Sequence, residues 1–125
     1  MTLEKFVKQQ IPDSPSLTIR KNGSLCLNSK AIEQFKLEPV RFATLHYDRK
    51  EQLLGIKPEE GNRDPSVYRI SKEKNRTWVI SCQAFLNHYG ILYKERSKIY
   101  RAEWDEKGKM ILAKIDGNDI TEVRQ

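Results

Sequence analysis

Leu17 and Ile19, then Leu25 and Leu27, alternate with polar neighbours, the period of two expected of strands with one buried face. Lys21-Asn22-Gly23-Ser24 separates the two runs, and Asn-Gly is the preferred pair of a type I′ turn, whose central residues both need positive φ. A hairpin or sharp corner is predicted there. Asn28 or Ser29 can cap a helix running to about Leu37, with Ala31, Ile32 and Phe35 as its apolar stripe and Pro39 blocking its continuation. So short a helix is unstable alone in water and must dock on the strands. Val40 to Asp48 reads as extended, Asp48-Arg49-Lys50-Glu51 as a polar turn, and Leu53 to Ile56 as the returning strand.

The same order recurs further along. Val67 to Ile70 reads as extended, Lys72 to Arg76 as a polar turn, and Thr77 to Ile80 as the next strand. Ser81 can cap a helix that puts Cys82, Phe85, Leu86 and Tyr89 on one side, and Gly90 suits its C-terminal cap. Ile99, Tyr100, Ala102 and Trp104 then lead through Asp105-Glu106-Lys107-Gly108 into a strand from Met110 to Ile115. Laid side by side, Leu27-Asn28-Ser29 falls on Ile80-Ser81-Cys82, Tyr47-Asp48 on Trp104-Asp105, and Ile56 on Ile115. This is a repeat of pattern and not of residues.

The expected organisation is an N-terminal helix and linker (1–16), a first half (17–58), a linker (59–65), a second half (66–115) and a tail (116–125). Met1 to Gln10 can form an amphipathic helix capped by Thr2, with Leu3, Phe6 and Val7 on one face, before the stiff Ile11-Pro12-Asp13-Ser14-Pro15. Pro58 to Pro65 (PEEGNRDP) has no strongly apolar residue and marks the boundary between halves. Each half offers too little core to stand alone, so the two are expected to form one compact domain.

Composition narrows the classes. The 125 residues are 38% hydrophobic and 32% charged, and mean hydropathy is −0.72. The chain is wet, but its apolar positions are too periodic for a disordered one. No run approaches a membrane span and no cleavable signal opens the chain, so a cytoplasmic location is expected. Lys and Arg number 23 against 17 acids, a formal charge of +6, which suits an anionic partner such as nucleic acid. Cys26 and Cys82 belong to no CxxC or zinc spacing and read as buried structural thiols. His46 and His88 are the only histidines, and neither has a sequence neighbour that would make it a catalytic base. No enzyme, cofactor or metal site is expected.

The stretch IRKNGSLCLNSKAIEQFKLEP, heading the order strand, turn, strand, short capped helix, hairpin, resembles the AbrB/MraZ-like swapped-hairpin module. Arg20, Lys21, Gly23 and Leu25 to Leu27 fit its opening, Ala31 to Leu37 its helix, and Tyr47 to Ile56 its hairpin. The helix-opening proline of that family is replaced by Asn28, and Ile32 and Glu33 stand where basic residues are common. The resemblance implies a β-rich α+β fold, two interleaved half-modules sharing one barrel-like core. Such a tandem chain would be a monomeric pseudo-dimer, the alternative being a homodimer. The resemblance also implies binding to double-stranded DNA, as in a transcription regulator.

Carried over by position, Arg20 and Lys21 match the first basic site, and Arg69, Lys72, Lys74 and Arg76 fall on the equivalent strand and turn of the second half. With the halves related by a pseudo-twofold axis, these six would converge on one face and contact phosphates. Lys94, Arg96, Lys98 and Arg101 form a second basic run, flanked by Tyr93 and Tyr100. Interleaved rings and cations suit single-stranded nucleic acid, but core packing is the commoner use of such tyrosines. The other function considered is a protein-interaction or assembly module that keeps the fold without binding DNA.

Overall fold

The computed structural model describes Leu3, residues 14–73 and residues 77–115. The helix expected over Met1–Gln10 and the tail 116–125 lie outside the described residues, as do Lys74 and Arg76. The strands are β1 (Ser16–Ile19), β2 (Ser24–Leu27), β3 (Phe42–Asp48), β4 (Leu53–Glu59), β5 (Tyr68–Arg69), β6 (Ser71–Lys72), β7 (Trp78–Ser81), β8 (Lys98–Arg101), β9 (Glu103–Asp105) and β10 (Met110–Lys114). Helices α1 (Ser29–Gln34) and α2 (Gln83–His88) follow β2 and β7. The strands form two five-stranded sheets, ordered β6-β7-β2-β1-β8 and β5-β3-β4-β10-β9, with every pairing antiparallel. The fold is therefore β-rich α+β. No helix among the described residues is long and apolar enough to cross a membrane.

Each sheet is stitched at its centre by one strand from the first half of the chain and one from the second. In the first sheet Leu25 faces Ile80 and Cys26 faces Val79 across β2 and β7. In the second, Leu54 faces Ala113 and Ile56 faces Ile111 across β4 and β10. Two extended segments turn the corner between sheets. Ile70 separates β5 from β6 and donates its N–H to Arg41 O at 2.9 Å. Ala102 separates β8 from β9 and donates to Pro15 O at 3.1 Å. The alternating strand residues meet in one core that includes Leu17, Ile19, Leu27, Leu54, Ile56, Trp78, Ile80 and Ile111, each at most 2% exposed. Neither run of strands could bury these side chains without the other.

Local chemistry fixes the ends of the elements. Asn28 caps α1, its Oδ1 accepting from Ala31 N at 3.0 Å. The same amide ties β1 down, accepting from Ser16 N (3.1 Å) and donating to Ser14 O (2.9 Å). The helices close alike: Leu37 N donates to Ile32 O and Ile91 N to Leu86 O, both at 2.9 Å, with Lys36 and Gly90 at φ of 56° and 67°. The hairpin turns also match. Asp48 accepts from Glu51 N at 3.0 Å and Asp105 from Gly108 N at 2.9 Å, and Gln52 and Lys109 each take φ of 53°.

Three expectations change. Ser81 does not cap α2, because it is the last residue of β7 and pairs with Ser24; Cys82 takes the cap position without a side-chain hydrogen bond. The Asn22-Gly23 corner is not type I′, because only Gly23 has positive φ (85°). Its hydrogen bonds, Gly23 N to Arg20 O and Arg20 N to Ser24 O, both 2.9 Å, close a three-residue loop that ends in a left-handed glycine, one residue longer than a type I′ connection. Asn22 Oδ1 stabilises that turn by accepting from Ser24 N at 3.1 Å and Ser24 Oγ at 2.6 Å. Finally, β4 runs through Pro58 to Glu59, past the expected boundary of the linker. Proline is tolerated there because β10 pairs with β4 only as far as Ile56, so the missing N–H faces no partner strand.

Candidate nucleic-acid interface

Of the six predicted contact residues the structure describes four, and these four do not form one open cationic face. Arg20 leaves the end of β1 and lies across the outside of the first sheet. Its guanidinium makes a two-pronged ion pair with Glu73, Nη1 to Oε2 and Nη2 to Oε1, both 3.0 Å, and Nη2 lies 3.2 Å from Cys26 Sγ. Glu73 lowers its own proton affinity by accepting these bonds, while the pair holds Arg20 above the usual guanidinium value. Lys72 is engaged as well, its Nζ donating to Glu38 O at 2.9 Å and Glu38 Oε2 at 3.3 Å. Arg69 sits on the second sheet, its guanidinium 5.7 Å from the centre of the Phe42 ring. Two of the four described cations thus already face carboxylates.

Lys21 is placed differently. Its backbone N–H donates to Ser97 Oγ at 3.2 Å, so the β1–β2 turn rests on the loop leading into β8. Lys98 follows at once, opposite Ile19 in the β1–β8 pairing. Exposed Lys94 lies three residues before Ser97, whereas exposed Arg101 sits opposite Ser16, at the far end of the β1–β8 pairing and on the other face of β8. One corner of the first sheet therefore carries cations from both the predicted site and the second basic run. The alternation that marks β1 and β8 as strands does not say that they are neighbours, so the two basic stretches read as separate in the sequence.

The aromatic side chains of that run do not offer themselves to bases. Tyr93 and Tyr100 are both only 5% exposed and belong to the core, with Tyr93 OH donating to Asn87 Oδ1 at 3.2 Å. Burial removes the ring faces on which single strands would stack.

Both cysteines are buried and unpaired. Burial pushes the Cys82 thiol up to about 12, and burial raises Cys26 as well, against the opposing pull of Arg20. His46 lies on the second sheet with Nε2 2.9 Å from Thr44 Oγ1, which donates to Glu59 Oε2 at 3.0 Å. His88 packs edge-on against Tyr89. Among the described residues no hydrogen bond joins a histidine to either thiol, and no group of three His, Cys, Asp or Glu is placed to hold a metal ion. Comparison with known proteins finds no matching family model, no matching curated protein and no matching solved structure.

Proposed function

We propose that this chain is a DNA-binding protein, of transcription-regulator type, built as a tandem swapped-hairpin pseudo-dimer that contacts phosphates through the cationic corner at Lys21, Lys94 and Lys98. The observation that carries the functional half is the Lys21 N–Ser97 Oγ bond, which joins basic stretches 76 residues apart at one surface. Phosphate contacts of this kind supply affinity without reading sequence, and a net charge of +6 steers the approach. The interleaved architecture is supported by reciprocal ring contacts. Phe35, at the end of α1, packs on Trp104 of the late hairpin at 6.0 Å, while Tyr89, at the end of α2, packs on Tyr47 of the early hairpin at 5.0 Å. Each helix end thus leans on the hairpin of the other half.

Titration of fluorescent duplex DNA tests the functional reading. Replacing Lys21 and Lys98 together by glutamate is expected to weaken binding by at least tenfold and to flatten the salt slope by about two phosphates' worth, each phosphate contributing roughly −0.9 to d log K/d log[salt]. Unchanged affinity in that variant would remove this corner from the interface.

A second reading, an assembly or protein-interaction module, is favoured by one observation: Arg20 and Lys72, two of the expected phosphate ligands, are already held by Glu73 and Glu38. It predicts that the Lys21/Lys98 change is silent and that wild type binds no duplex even at low salt.

A further inference from the structure

Arg20 and Glu73 occupy the same position in the two related hairpins. Arg20 is the first residue beyond β1 and Glu73 the first beyond β6. Their backbones match: Arg20 N donates to Ser24 O and Glu73 N donates to Thr77 O, each four residues on and each at 2.9 Å. The strands they flank meet at the centre of the sheet, where Cys26 faces Val79, and Arg20 Nη2 reaches back to Cys26 Sγ. The pair therefore crosses the axis relating the two halves, and each member touches the residue that would be its own copy if the halves were identical.

We infer that the Arg20–Glu73 pair selects pairing of unlike halves within one chain against pairing of like halves between two copies of the chain. Like-half assembly would bring Arg20 against Arg20 at one seam and Glu73 against Glu73 at the other. Two closed monomers hold two attractive pairs where one like-paired dimer holds two repulsive ones, so the discrimination counts at both seams. The two-pronged geometry makes the attraction specific to an arginine opposite a carboxylate. Leu25, Leu27 and Ile80 are of similar size and pair acceptably in either arrangement, so among the apolar seam positions only Trp78, opposite Leu27, adds to this choice by its bulk. The inference rests on the internal repeat in the reading above and not on DNA binding.

The test is the oligomeric state of the full chain, followed by light scattering over a wide concentration range, with melting temperature beside it. Wild type is expected to stay monomeric. Arg20→Glu and Glu73→Arg each turn the central pair repulsive, and each is expected to lower the melting temperature; like-half pairing stays repulsive in both, so neither gains a dimer by charge. The charge-swapped double variant, Arg20→Glu with Glu73→Arg, is expected to be a monomer with the melting temperature largely restored. Refolded together in equal amounts, the two single reversals set arginine against glutamate at both like-half seams, and they are expected to form a one-to-one dimer that neither forms alone. Single reversals with unchanged melting would overturn the inference, and so would a double variant that fails to recover. Should a single reversal not fold alone, the mixture still decides: a one-to-one dimer supports the inference, and its absence overturns it. Loss of DNA binding in any variant does not bear on these readouts, so the two proposals fail separately.

Discussion

Gly23 shows how much one position can carry. Its φ of 85° is strained for any residue with a side chain, and a Cβ there would collide with Gln83 Cγ at the start of α2. The turn is pinned from that side by Gln83 Nε2 donating to Asn22 O (2.9 Å) and Cys82 N donating to Gly23 O (3.0 Å). Gly23→Ala is expected to cost more than about 1 kcal/mol in chemical denaturation, from strain and displacement together. A cost indistinguishable from zero would mean that the turn is not held as described. The thiols make a second case at this scale. Both are buried and their pKa values are raised, so Ellman's reagent is expected to modify Cys26 and Cys82 only as fast as the protein opens. Rapid labelling of either thiol under native conditions would contradict the core as drawn. Glu73 gives a pH dependence. Its folded-state pKa lies below the ordinary 4.5, so its stabilising effect is complete above that range and is lost as pH falls through the depressed value. The melting-temperature gap between wild type and Arg20→Gln should therefore be full near neutrality and close in acid; a gap that persists in acid would refute the assignment.

At the scale of elements, the two short helices begin differently despite their common place in the repeat. Asn28 caps α1 and also ties down Ser14 and Ser16. Asn28→Ala should cost about 1–2 kcal/mol, the upper part of the range for a lost cap. Ser81→Ala should cost almost nothing in the same urea titration, since Ser81 is an exposed strand residue that caps no helix. Equal effects of the two changes would show that the caps are misassigned. The contrast also shows what could be read from the chain. Alternation located β1, β2, β3 and β7, and Asn28, Gly90 and the Asp48 and Asp105 turns were legible because their chemistry is local. Ser81 misled because serine suits a cap and a strand end alike, and the pairing of β7 with β2 decided between them. The corner segments at Ile70 and Ala102 were invisible for a related reason. A strand that moves from one sheet to the other keeps its alternation, and only distant partners reveal the break.

The whole molecule depends on contacts that join the halves: β2 to β7, β4 to β10, Phe35 to Trp104, Tyr47 to Tyr89 and Arg20 to Glu73. The repeated pattern was visible in sequence, but the pairing between copies was not, because period and spacing carry no information about partners far along the chain. Charge suffered most from this. Counting cations picked out Arg20 and Lys72 as free contacts, whereas folding brings Glu73 and Glu38 against them and gathers Lys21 with Lys98 instead. The central functional claim is that this gathered corner grips DNA phosphates, and equilibrium binding of wild type to duplex DNA across a salt series tests it most directly. Saturable binding is expected at low salt, with log K falling linearly against log[salt] at a slope of about −0.9 for each phosphate engaged, roughly −2 to −3 if two or three cations of the corner take part. No binding at low salt, or affinity insensitive to salt, would contradict it.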